Sequence, residues 1–126
     1  MSEPAPRLLT LLAAVDGFAA VAGGAFGAHG VKDEAARALL RTAAEYQLAA
    51  AAVGLAILAL SGLRSGRTAA LLVLTGGLVF GVSLDGIVVT GIRALGAITP
   101  IGGLLMLAGF AWLGIAVLRG SGGDAS

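Results

Sequence analysis

Four long apolar blocks restrict the fold of this chain more than any other feature. They cover residues 8–26, 48–63, 69–91 and 99–118 of the 126-residue sequence. A helix that crosses a bilayer needs about 20 mainly apolar residues. The first, third and fourth blocks are close to or above that length, and helical periodicity extends the second back through Tyr46. We therefore expect an all-α, four-helix transmembrane bundle, with spanning helices at about residues 8–28, 46–63, 69–91 and 99–118.

Composition supports a single integral membrane domain over residues 1–126 and excludes several classes of function. The chain is 58% hydrophobic and 12% charged, whereas a soluble domain is about half apolar and a quarter charged. It contains no cysteine, which rules out disulfides, thiol catalysis and cysteine-ligated metals. The net charge is +1 without a basic cluster, so we expect no nucleic-acid partner. We expect membrane lipids as partners, and no cofactor or metal.

The segment between the first two blocks has the pattern of an amphipathic helix, at about residues 32–45. On a helical wheel its charged residues share an arc of about 120°. These residues are Asp33, Glu34, Arg37, Arg41 and Glu45, and the opposite face carries Ala36, Leu39, Leu40, Ala43 and Tyr46. We predict an interfacial helix that lies along the membrane surface before the second spanning helix descends. Its role is either that of a solvated connector or that of a lid or docking surface.

Asp16 is a charge in the middle of the first block. A carboxylate at the bilayer centre costs roughly 2.5–3.5 kcal/mol on insertion scales, and each Leu, Val or Phe offsets about 0.3–0.6 kcal/mol of it. The first block has about eight such residues, so we expect marginal insertion and an Asp16 side chain that faces protein. Asp16 is then either a functional ionisable group or a protonated, hydrogen-bonded structural one.

The first block also has features of a secretory signal peptide. Ala20, Val21 and Ala22 have the small-residue pattern of a cleavage site. Asp16 within the block and the single basic residue before it, Arg7, instead favour a spanning helix.

Several polar residues fall at one end of the bundle when the four helices are threaded in alternate directions. This predicted polar cluster consists of His29, Glu45, Tyr46, Gln47, Ser83, Asp85 and Thr99. Isolated polar groups are costly in lipid, which favours contacts among them. The alternative is that each group reaches interfacial water separately. The sequence has no nucleophile–base pattern and no metal-ligand spacing, so we predict neither catalytic residues nor a metal site.

Glycines recur at helical spacing within the apolar blocks. Gly23 and Gly27 form one small-xxx-small pair, and Gly77 and Gly81 form another. Gly102 and Gly103 follow the start of the fourth helix. Since lipid tails are as apolar as leucine, spanning helices associate through close packing, which small residues allow. These glycines are therefore predicted to lie at helix contacts.

Short motifs along most of the chain are specific enough to indicate a family. They are GAFGAHG (Gly24–Gly30), EYQ (Glu45–Gln47), Phe80, Ser83 and Leu84 within VFGVSL, ITPIGG (Ile98–Gly103) and LAG (Leu107–Gly109). With these motifs the chain resembles the domain of unknown function 423 family, also called transmembrane protein 256-like proteins. The resemblance implies a small four-helix integral membrane protein with no established biochemical activity.

The chain departs from the family pattern at three positions. Ala50 stands where the family has a histidine, Asp85 replaces a tyrosine, and Phe110 replaces a tryptophan. A mechanism that needs a pair of histidines is therefore not expected here, and no catalytic role is transferred.

The features together favour a non-enzymatic membrane protein. We expect a structural or accessory subunit that packs through glycine-rich helix faces within a larger membrane complex or homo-oligomer. The alternative is a small transporter or proton-conducting element that uses Asp16, Asp85 and His29, which requires a water-filled path from Asp16 to the polar end. A membrane enzyme is a third hypothesis, for which the sequence indicates no substrate.

Location is indicated only by composition and loop charge. The frequent alanine, glycine and arginine suggest a bacterial protein of the inner (plasma) membrane. Basic residues are nearly balanced between the two sides, and the short Arg64–Arg67 loop favours cytoplasmic termini.

Overall fold

Four long helices account for nearly all of the structure. The computed structural model describes residues 4–60 and 64–120, with side chains over 7–60 and 66–120. The elements are α1 (Pro4–Gly30), α2 (Glu34–Leu60), α3 (Arg64–Thr90), a 3₁₀ helix (Arg93–Ala97) and α4 (Thr99–Gly120). Within the described ranges there is no strand, and four helical segments of mean hydropathy 1.6 to 2.2 are long and apolar enough to cross a membrane. The all-α class with four candidate spans is thus confirmed.

The second helix differs from the expectation of two separate helices at about 32–45 and 46–63. Residues 34–60 form one unbroken helix, α2, and residues 61–63 lie outside the described part of the chain. Neither glycine nor proline occurs between Glu34 and Gln47, so nothing interrupts the backbone hydrogen bonds at Tyr46. A distinct interfacial helix is therefore not found, and the charged stripe occupies the first turns of a candidate spanning helix.

Local signals explain two of the helix ends. Asp33 caps α2, because its Oδ2 accepts a hydrogen bond of 2.9 Å from the Ala36 amide. After α3, Gly91 adopts a φ of 76°, and its amide donates to the Ile87 carbonyl at 2.7 Å. A left-handed glycine at this position is a common way to end a helix. The chain then turns through the 3₁₀ helix into α4.

Consecutive helices run antiparallel, as their contacts show. Gly27 near the end of α1 lies against Leu40 near the start of α2, and Gly54 near the end of α2 lies against Leu74 in α3. Likewise Gly102 at the start of α4 lies against Phe80 in α3. The end of α1, the start of α2, the end of α3 and the start of α4 therefore share one end of the molecule, here called the Gly30 end.

Helix α3 is the centre of the packing. α1, α2 and α3 pack against one another, whereas α4 packs mainly against α3. The α3–α4 contact is close enough for backbones to touch, since a Cβ added to Gly76 would lie 2.6 Å from the Gly102 carbonyl oxygen. Toward the other end, Leu9, Ile57 and Leu74 form an apolar core together with small alanines. Glycine and alanine thus lie at several of the close contacts between helices.

Candidate functional site

The most buried polar group in the described chain is a carboxyl–amide pair between α1 and α2. Asp16 and Gln47 each have 0% exposed surface. The Gln47 Nε2 donates a hydrogen bond of 3.0 Å to Asp16 Oδ1. Two glycines of α3 face this pair: a Cβ added to Gly77 would lie 3.6 Å from Asp16 Oδ2, and one added to Gly81 would lie 2.6 Å from Gln47 Cδ. The pair therefore sits within the three-helix contact and faces protein on all sides.

Three buried side-chain oxygens have no hydrogen-bond partner in the described structure. They are Asp16 Oδ2, Gln47 Oε1 and Asp85 Oδ1. Carboxylate and amide oxygens only accept hydrogen bonds, and buried acceptors are normally satisfied. Their lone pairs can therefore take up a proton, accept a hydrogen bond from a water molecule or coordinate a small cation.

The Asp16–Gln47 contact was missed by sequence reasoning, although the sequence contains a signal for it. Asp16 lies 14 residues before the end of α1 at Gly30, and Gln47 lies 13 residues after the start of α2 at Glu34. In an antiparallel pair of helices, equal distances from the connection place two residues at the same depth. The predicted helix boundary near Tyr46 instead put Gln47 at the membrane surface.

A second polar contact joins α3 to α4. The Ser83 and Thr99 hydroxyl oxygens are 2.6 Å apart, and Ser83 Oγ donates to the Phe80 carbonyl at 2.9 Å. Since Ser83 has only one hydroxyl proton, Thr99 donates to Ser83 and Ser83 donates to Phe80. Two members of the predicted polar cluster are therefore in direct contact.

The other members of the predicted cluster lie at separate places. Asp85 is beside α1, where a Cβ added to Gly23 would lie 3.7 Å from both of its carboxyl oxygens. The Tyr46 ring packs on Phe80, with centroids 4.7 Å apart. His29 and Glu45 are exposed, and the side chain of neither forms a hydrogen bond or ion pair with another described residue. Within the predicted cluster only Ser83 and Thr99 are hydrogen-bonded to each other, and Gln47 pairs instead with Asp16, deeper between α1 and α2. His29 belongs to neither pair.

No group of three or more histidine, aspartate or glutamate residues in the described ranges could hold a metal ion.

The glycines singled out from the sequence occupy different environments. A Cβ added to Gly27 would lie 2.9 Å from Leu40 Cβ, and one added to Gly102 would lie 2.5 Å from the Phe80 amide nitrogen. A Cβ added to Gly77 would collide with Ala50 of α2. By contrast, a Cβ on Gly103 would meet nothing within 4 Å in the described structure. Most of these glycines are thus at close helix contacts, and Gly103 is on an open face.

A groove lies on the surface between α1 and α2 at the Gly30 end. Its volume is about 140 Å³, and it is lined by Gly24, Gly27, Ala28, Arg37, Arg41, Ala44 and Glu45. Arg37 Nη2 donates a long hydrogen bond, 3.5 Å, to the Ala28 carbonyl. The side chains of Arg41 and Glu45 form no hydrogen bond or ion pair with any described residue. The floor consists of glycine and alanine, so the cavity exists because these side chains are small.

Comparison with known proteins gives the following relatives. The family model described as "Protein of unknown function (DUF423)" matches residues 23–103. A UPF0382 membrane protein of Staphylococcus epidermidis (strain ATCC 12228) is 38% identical over 125 residues, which cover 92% of this chain and 99% of the relative. A UPF0382 membrane protein of Staphylococcus aureus (strain bovine RF122) has the same identity and coverage. No solved structure gives a significant match to the chain.

Proposed function

Because the chain belongs to the DUF423 family, a family of membrane proteins of unknown function, we propose its role from its geometry. It is a non-enzymatic structural or accessory subunit that packs through glycine-rich helix faces inside a larger membrane complex or a homo-oligomer. Its location is the bacterial inner membrane, with both termini in the cytoplasm. The bacterial relatives and the four candidate spans support this location.

The observation that carries the proposal is an open glycine face on α4. A Cβ added to Gly103 or to Gly114 would meet nothing within 4 Å in the described chain. The two positions are 11 residues apart, about three turns, so they share one face of the helix. Leu107 and Phe110 lie on the same face and are 65% and 48% exposed. The glycines of α1 and α2, and Gly76, Gly77, Gly81 and Gly86 of α3, each have an atom within 4 Å of an added Cβ. The open face of α4 therefore supports a neighbour from another chain, because small residues permit close approach.

Cross-linking in native membranes, followed by purification in a mild detergent, tests this role. Gly103→Leu and Gly114→Leu should abolish a cross-linked partner, or a second copy of the chain, and should leave thermal stability unchanged. Ala108→Leu is the matched control, because Ala108 is an exposed small residue on another face of α4. Wild-type protein that is monomeric and cross-links to no partner would contradict the proposal, as would equal losses in all three variants.

The buried unpartnered oxygens favour a second candidate, a small transporter or proton-conducting element. Asp16 and Asp85 would exchange a proton or cation, and Gln47 would orient the Asp16 carboxyl through the 3.0 Å hydrogen bond. His29 would act only as a surface group, because it is exposed at the Gly30 end. Liposomes containing the protein should then dissipate a pH gradient faster than empty ones, and Asp16→Asn should remove the difference. Equal rates with and without the protein would eliminate this candidate.

A further inference from the structure

The groove between α1 and α2 is lined by small residues and by arginine side chains whose N–H donors are mostly without partners in the described structure. Arg37 uses one nitrogen on the Ala28 carbonyl, and Arg41 uses none within the described structure. A volume of about 140 Å³ exceeds the roughly 30 Å³ that a water molecule occupies in the liquid. The cavity is therefore large enough for a tetrahedral anion or several waters.

The charges around the groove favour an anion at its outer part. Arg37 and Arg41 are one turn apart on α2, so their guanidinium groups can converge on one ligand. Guanidinium groups bind phosphate oxygens through paired, charge-assisted hydrogen bonds. Glu45 lies one further turn along the helix, and its negative charge opposes anion binding. The carbonyl groups at the end of α1 also oppose an anion, but Arg37 partly neutralises this effect through its hydrogen bond to the Ala28 carbonyl. Two cations thus face one carboxylate.

The depth of the groove matches the level of lipid headgroups. The 27 residues of α2 extend about 40 Å, against about 30 Å for the hydrocarbon core. Every charged residue of α2 lies between Glu34 and Glu45, so the excess length belongs at this end. Arg37 and Arg41 are then close to the boundary, where long basic side chains extend toward the phosphates.

We propose that this α1–α2 groove is a binding site for a phosphate group held by Arg37 and Arg41. The position at the membrane boundary identifies the headgroup of an anionic phospholipid as the source, and a soluble phosphate is the other source with the same chemistry. The small residues Gly24 and Ala44 line the groove and leave space there for the ligand, next to both arginines of α2.

Native mass spectrometry of delipidated protein tests the site by titration with phosphatidylglycerol and, separately, with inorganic phosphate. Wild-type protein should retain one tightly bound phosphatidylglycerol. Arg41→Gln and Arg37→Gln should each weaken binding about tenfold or more, since a charge-assisted hydrogen bond contributes about 1.5–3 kcal/mol. Glu45→Gln should strengthen binding, a result that misfolding cannot produce.

Arg93→Gln is the matched control, because Arg93 is exposed at the same end of the molecule but outside the groove. It removes the same charge and should leave the affinity within about twofold, the scale of a surface charge effect. Equal losses in the Arg93 and Arg41 variants would overturn the site, as would the absence of any bound lipid or phosphate. Binding of inorganic phosphate alone, with the same dependence on arginine, would retain the site and assign it to a soluble anion.

Discussion

Removing the two partners of the buried Asp16–Gln47 pair should have strongly non-additive effects on stability. Gln47→Met removes the donor and keeps a long unbranched side chain, and Asp16→Leu keeps the branching of the carboxyl. Either substitution alone leaves a fully buried polar group without its 3.0 Å hydrogen bond. The double substitution leaves neither polar group.

The size of the effect follows from the burial of both groups. A hydrogen bond between membrane helices contributes on average about 0.6 and at most about 1.7 kcal/mol. The buried group left behind, the Asp16 acceptor in one variant and the Gln47 donor in the other, costs about 1–3 kcal/mol more when it is unsatisfied. Gln47→Met should therefore lower the free energy of unfolding by about 2–4 kcal/mol, and Asp16→Leu by about 1–3 kcal/mol. The double variant should lie within about 1 kcal/mol of the parent, which gives a coupling energy of at least about 2 kcal/mol.

Reversible unfolding in mixed micelles, followed by the helical circular dichroism signal, measures all four proteins under one condition. Asp16→Asn is the control, because an asparagine can still accept from Gln47 Nε2 and should keep most of the stability. Effects of the two single substitutions that add within about 0.5 kcal/mol would refute the reasoning, since independent sites behave in that way. A double variant less stable than either single variant would refute it as well.

Two further predictions concern glycines. Gly81→Ala should destabilise the protein by about 1–3 kcal/mol, because the new Cβ would lie 2.6 Å from Gln47 Cδ. The control Gly103→Ala should be nearly neutral in the same unfolding assay. Equal stabilities of the two variants would contradict the close packing at Gly81. Gly91→Ala should cost about 1–2 kcal/mol through backbone strain alone, since Gly91 has a φ of 76° and no atom within 4 Å of an added Cβ, and Gly91→Asn should recover part of the loss in the same unfolding measurement.

Apolar length and turn residues predicted the helices because both act locally. Blocks of about 20 apolar residues fix the number of spans whatever their partners are. The break proposed near Tyr46 was wrong because it relied on a change of polarity, and polarity does not interrupt backbone hydrogen bonding. Glycine and proline are the residues that weaken backbone hydrogen bonding in a helix. The first of either in α2 is Gly54, well after Tyr46.

Side-chain pairing in the candidate site was less accessible from the sequence. Alternate threading gave the common end of His29, Ser83, Asp85 and Thr99, but it did not give which faces of the helices meet. That choice depends on helix rotation, which is set by close contacts such as that of Gly76 with Gly102. One residue of difference in rotation moves a side chain by about 100°, enough to exchange a neighbour in another helix for lipid.

The pairing of Asp16 with Gln47 also bears on how the chain enters the membrane during synthesis. The two residues lie on consecutive helices, so the acid can meet its amide as soon as the first hairpin has formed. The cost of about 2.5–3.5 kcal/mol that a lone aspartate imposes on its helix is then reduced before α3 leaves the ribosome. We therefore expect the integration of α1 to be assisted by its immediate successor, before α3 completes the burial of the pair.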